Sequence, residues 1–240
     1  MVVAEGRGAR LTDVDGHVYL DLVNNYTAMV HGSAFAPVTD AVAELLPNGF
    51  ALASPHPYQV ALAEVLAARV PSVQRVRFTN SCTEAALLAA RIAARATGRR
   101  RLLLIDGARH GSAALFLPGG LDVVRRRGAT WTPWPRCLRP GHGTAAVFAE
   151  PFLGADRVRP AAPGFLAALA ALARERDVLF ALDEVQGLRN GFGGERAGSG
   201  VSGQARGEQG RLGLAAAEVT RAGSSMNVHL DSPAARPICT

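Results

Sequence analysis

Short apolar runs that end in polar residues alternate with segments of helical period along most of the chain. Residues 73–78 (VQRVRF), 101–106 (RLLLID), 145–150 (AAVFAE) and 177–183 (DVLFALD) read as strands. Residues 37–46, 58–70, 83–96 and 164–176 place apolar side chains at helical spacing, and Gly98 closes the third of these. Ahead of them, residues 13–16 (DVDG) are turn chemistry, and 17–23 alternate as a strand. Strands alternating with helices predict an α/β fold: a mostly parallel sheet flanked by helices. Ligands in such sheets sit at the carboxyl ends of the strands. Three strands here run out into polar candidates: Asn80-Ser81, Glu150 and Asp183.

With 240 residues and 48% hydrophobic residues the chain can bury a core. Its net charge of +6 raises nucleic acid as a partner. Against this, all 26 cationic residues are arginine, they are scattered, and aromatics do not interleave with the tight runs at 99–101 and 125–127. That is the pattern of a GC-rich coding sequence, and no nucleic-acid partner is expected. Cys82, Cys137 and Cys239 have no regular spacing, which predicts neither a disulfide framework nor a metal site. With no apolar leader at the N-terminus and no run long enough to cross a bilayer, a cytoplasmic protein is expected.

The segment 79–85 (TNSCTEA) joins a strand to a helix. Unpaired N–H groups in a helix's first turn, with the macrodipole, favour an anion, and Ser81 and Thr83 add hydroxyl donors. The segment reads as a phosphate cradle, or more simply as a cap with Glu84 in the first turn. Asp183, at the end of an apolar strand, can pair with a protonated ring nitrogen, or can cap the following turn.

Taken together, the order of these segments resembles the class-III aminotransferases of the pyridoxal-phosphate fold type I, especially those similar to glutamate-1-semialdehyde aminomutase. The likeness rests on residues 11–21 (LTDVDGHVYLD), 70–84 with the helix behind them, His110-Gly111, Glu150-Pro151, 183–186 (DEVQ) and 192–194 (FGG). It implies part of an aspartate-aminotransferase-like large domain at 46–201, behind an N-terminal segment at 1–45. It implies pyridoxal 5′-phosphate (PLP) as cofactor and a small amino-acid-like substrate. Asp183 would pair with the pyridine nitrogen, and Gln186 would lie near the phenolic oxygen. Ser81, Cys82 and Thr83 would hold the phosphate, and Arg109 and His110 would line the ring. Asn25 and Tyr26 would lie toward the substrate.

Three departures bear on the chemistry. The family has Gly at the position of Cys82, so a side chain is expected where the phosphate sits. It has an aromatic where this chain has Arg109. It also has a strand-end lysine about sixteen residues beyond Phe-Gly-Gly, which lands near Gly210, and this sequence contains no lysine. That lysine forms the Schiff base and moves the α-proton, so no catalytic residue is assigned. Arginine stays protonated and does not replace it.

Residues 202–240 change character, with weak periodicity. They are expected to be a divergent, poorly ordered tail with a short helix at 212–221, the mark of a truncated or frame-shifted reading of a longer gene. Two functions follow: an incomplete aminotransferase or aminomutase (an isomerase) inactive alone, or a non-catalytic aminotransferase-like subunit that binds PLP or a complete homologue. A homodimer, or association with a full-length homologue, is expected; no membrane partner is.

Overall fold

The computed structural model describes residues 1–26, 28–49, 52–70, 73, 75–112, 122–126, 138, 143–198, 201, 214–218 and 226–230. The chain forms two compact units, Met1–Ala61 and Leu62–Thr240. Helix α1 (Ala36–Leu45) runs straight on into a 3-10 turn at Leu46–Asn48, where Leu46 N–H donates to Val42 and Gly49 N–H to Leu46.

In the first unit, β1 (Val3–Arg7), β2 (Arg10–Asp13) and β3 (Val18–Leu20) form an antiparallel meander. Asp13 builds its turn: Oδ1 accepts from Asp15 N–H at 3.0 Å and His17 N–H at 2.9 Å, and Oδ2 accepts from the Tyr19 hydroxyl at 2.9 Å. Burial alone would raise the Asp13 carboxyl, but these hydrogen bonds outweigh it and hold it below the usual range. The strand expected over 17–23 is shorter because Asp21 Oδ1 caps its end, accepting from Val23 N–H at 3.0 Å and Asn24 N–H at 2.7 Å. Helix α1 begins with Pro at its first turn and buries none of its residues. Helix α2 (Pro57–Arg69) runs across the division.

The second unit is a sheet of order β4-β12-β11-β10-β7-β5-β6. Its strands are β4 (Arg77–Thr79), β5 (Arg101–Ile105), β6 (Asp122–Arg126), β7 (Thr144–Ala149), β10 (Leu179–Asp183), β11 (Leu214–Glu218) and β12 (Met226–Leu230). Neighbours from β11 to β6 pair in parallel, and β12 pairs antiparallel with both β11 and β4. A two-strand ribbon, β8 (Phe152–Leu153) with β9 (Arg159–Pro160), leaves the end of β7.

Alternation along the strands decides which helix covers which face. Leu102, Leu104, Ala146, Phe148 and Ala181 pack with Ala85, Ala89, Ala90 and Ala93 of α3 (Cys82–Thr97). Leu103, Ile105, Val147, Ala149 and Leu182 pack with Phe165, Leu166, Leu169, Leu172 and Ala173 of α4 (Phe165–Glu175). Period-2 strands between two period-3.6 helices give a three-layer core.

Two expectations are corrected. The strand foreseen over 73–78 is confined to β4, because Val70 and Val73 pack instead with Leu66 and Leu188 in a separate small core. The helix foreseen over 212–221 is a strand, β11, despite its alanines. Its ladder covers an edge of β10 that would otherwise present unpaired backbone groups, which outweighs helix propensity. That part of 202–240 is therefore ordered into the sheet. The position near Gly210 lies outside the described residues.

Candidate functional site

Parallel pairing brings the carboxyl ends of β5, β7 and β10 to one edge of the sheet, and residues 106–112, Glu150 and Asp183 leave the strands there. At the centre, His110 Nδ1 lies 2.8 Å from Asp183 Oδ2, with both side chains 3% exposed. An ionised carboxylate only accepts, so Nδ1 carries the proton of this bond. Asp183 Oδ1 accepts from Val185 N–H at 3.1 Å. His110 Nε2 is buried with no hydrogen-bond partner among the described residues, and its ring meets Phe148 at a centroid distance of 5.6 Å.

The N-terminus of α3 forms the second part. Ser81 is its cap and accepts from Glu84 N–H at 3.2 Å, while Glu84 Oε2 accepts from Asn80 N–H at 2.7 Å. Thr83 Oγ1 accepts from Ser112 N–H at 3.0 Å. The cap reading holds for Ser81, while Thr83 ties the helix start to the His110 segment. Cys82 is half-buried, and its side chain packs against the alanine core under α3.

Gln186 is half-buried, and its amide lies against Gly154, where a Cβ would overlap Oε1. Arg109 is exposed, and its backbone N–H donates to Glu150 Oε2 at 3.2 Å. In the first unit, Asn25 and Tyr26 both take positive φ and are exposed.

Sequence reasoning named Glu150 only as a polar strand end. It is 8% exposed, and burial followed by the charge of Asp183 pushes its carboxyl up to about 7, against the opposing pull of His110 and Arg109 N–H. The signal was its place at the same strand end as Asp183. Gly111 and Ser112, which dock on Thr83, had no signal beyond the His-Gly pair. The ligand-type atoms of Asp13, Asp15 and His17 gather within 4.8 Å, a consequence of the Asp13 turn itself.

A family model, Aminotransferase class-III, matches residues 1–120. The chain belongs to this family. Among relatives, a glutamate-1-semialdehyde 2,1-aminomutase of Methylacidiphilum infernorum (isolate V4) is 33% identical over 221 residues, covering 83% of this chain and 51% of that protein. The β-phenylalanine transaminase of Variovorax paradoxus is 35% identical over 197 residues, covering 79% and 45%. Among solved structures, an omega-transaminase from Sphaerobacter thermophilus is 32% identical with a TM-score of 0.83, covering 97% of this chain and 57% of that one. This class-III chain thus has the α/β fold of the PLP-dependent aminotransferases, and it spans about half the length of the curated relatives it matches. No helix among its described residues is long and apolar enough to cross a membrane.

Proposed function

We propose that the chain holds PLP without a covalent link and does not by itself transfer amino groups. The observation that supports this is the buried Asp183 carboxylate at the end of β10. It is aimed by His110 and Val185 N–H, beside a helix N-terminus tied to the same segment through Thr83 and Ser112.

The residues fit the group. A carboxylate offers about four lone-pair directions, and Asp183 has one taken by His110 and one by Val185, which leaves capacity for a ring N–H. Thr83 accepts from Ser112 and keeps its O–H to donate to a phosphate. Ser81 and Cys82 bring the backbone of the first turn of α3 to the same anion. Gln186 approaches the phenolic oxygen, while Arg109 and His110 border the ring. Bound there, the cofactor would supply an electron sink for chemistry at an amino acid's α-carbon. What this sequence does not provide is a side-chain amine, because it has no lysine.

The substrate class of this lineage is amino-acid-like, with Asn25 and Tyr26 on the substrate side. Residues 46–201 correspond to part of the cofactor domain. We read the chain as an aminotransferase-like subunit that associates with a second copy or with a complete homologue in the cytoplasm.

The test is titration with PLP followed by visible absorption, then borohydride reduction and mass spectrometry. Saturable binding, with no pyridoxyl adduct on any side chain, is expected. A stoichiometric side-chain adduct, or no saturable binding, overturns the reading. The N-terminal amine is blocked beforehand so that it does not contribute.

A further inference from the structure

Glu150 has no part in the reading above, yet it is built into the same site. Leu182 and Ala149 are register partners on β10 and β7, so Asp183 and Glu150 leave adjacent parallel strands at the same level. Both are buried, at 4% and 8% exposed. One dipeptide serves both acids: Arg109 N–H donates to Glu150 Oε2 at 3.2 Å, and His110 Nδ1 lies 2.8 Å from Asp183 Oδ2. Glu150 has no ion pair among the described residues. The ionisable groups acting on it are Asp183 from β10 and His110 from the segment after β5; Phe148, against the His110 ring, adds none.

Both carboxyls are buried at the ends of adjacent strands, and the charge of one disfavours ionisation of the other. Burial is the larger cause that raises the carboxyl of Glu150, which sits at about 7, and the charge of Asp183 adds to it. A cation placed at Asp183 offsets the second of these causes and favours the ionised form of Glu150, because opposite charge favours the charged form of a neighbour.

We propose that Glu150 and Asp183 act as a coupled acid pair that selects ligands with a cationic ring nitrogen: the ring N–H pairs with Asp183, and its charge expels the proton of Glu150 to solvent. This rests on the assignment of Asp183 as the ring-nitrogen partner. The proton balance is simple: the neutral carboxyl of Glu150 becomes a carboxylate, and one proton goes to the buffer. The ligand's nitrogen keeps its own proton. A ring of the same shape without a nitrogen brings no charge, so it displaces no proton. Glu150 is thus a positioning and selecting residue, one that sets the charge of the site without touching the ring.

The experiment compares PLP with 1-deazapyridoxal 5′-phosphate, which keeps the phosphate, aldehyde and phenol but lacks the ring nitrogen. Calorimetric titrations at about pH 6 in two buffers of different ionisation enthalpy give protons released per ligand bound. At that pH the ring of free PLP is already protonated. Phosphate ionisation is common to both ligands, so it cancels; the phenol does not, so its ionisation in each complex is read from the ligand's own absorption band and subtracted. PLP should release most of one proton more than the deaza analogue from the unaltered chain. Glu150→Gln should abolish that excess. Infrared difference spectra of the unaltered chain need no variant: a protonated-carboxyl band should disappear when PLP binds and persist with the deaza analogue. Equal proton release for the two ligands, or a band that persists with PLP, overturns the acid pair while leaving PLP binding intact. Failure of both ligands to bind overturns the cofactor reading and this proposal with it.

Discussion

Gly111 lies directly on Thr83: a Cβ built on it would meet Thr83 Cα and Oγ1 at 2.6 Å. Its φ of +94° is in the region that favours glycine. The next residue, Ser112, gives its N–H to Thr83 Oγ1. This contact joins the start of α3, the proposed anion end, to the segment that carries His110. Gly111→Ala should therefore cost about 1–3 kcal/mol in stability through strain and clash. It should also weaken binding of inorganic phosphate, because Thr83 shifts. Urea unfolding and a phosphate titration check this. Unchanged affinity and stability together would show that the docking is incidental.

Asp183→Asn keeps the shape of the site and removes its charge. His110 then loses its charged acceptor, and a ring N–H⁺ loses its partner. A hydrogen bond to a charged group contributes ~1.5–3 kcal/mol, so PLP affinity should fall roughly tenfold to a hundredfold. Inorganic phosphate affinity should stay within about twofold, since in the proposed reading Asp183 serves the ring rather than the anion. Parallel titrations separate the two, and an equal loss for both ligands would place Asp183 in general support of the fold.

Much of the fold was legible because local and tertiary forces agree there. Ser81 and Gly98 bound α3 as their types predict, and Gly98 takes φ 67° at the C-cap. The apolar runs at 101–105 and 179–183 are buried on both faces, as a parallel sheet requires. The strand at Leu214–Glu218 was not legible, because its alanines prefer helix and only the open edge of β10 decides otherwise. In the site, strand-end acids were visible as types, but the sharing of one dipeptide between Glu150 and Asp183 depends on strand register, which no local pattern carries. The direction of the Cys82 thiol likewise depends on the core beneath it.

That direction makes a further expectation specific. Cys82 packs against the core cluster under α3, and we expect it not to crowd an anion at that helix start. Cys82→Gly removes that packing and adds backbone entropy at the start of a helix, at a combined cost of ~1–2 kcal/mol. Phosphate affinity should remain within about twofold. A tenfold gain in phosphate affinity on this substitution would mean that the thiol obstructs the cradle after all.

Glu150 should also leave its mark on stability against pH, without any ligand. Its carboxyl sits at about 7 in the folded chain against an ordinary value of 4.5, because burial and then Asp183 disfavour its charge. Between these values the folded chain keeps a proton that the unfolded chain releases. Stability from this group is therefore complete below the unfolded value, declines as pH rises, and is lost above the folded value. The full span corresponds to on the order of 3 kcal/mol. Carboxylates away from the site are shared by the unaltered chain and Glu150→Gln, so the difference between the two reports Glu150 together with its effect on Asp183. The glutamine variant should gain relative stability steadily from about pH 4.5 to about pH 7, then no more. Urea midpoints of both proteins across that range measure the difference. Curves that stay parallel throughout would mean that Glu150 titrates in the folded chain as it does in water.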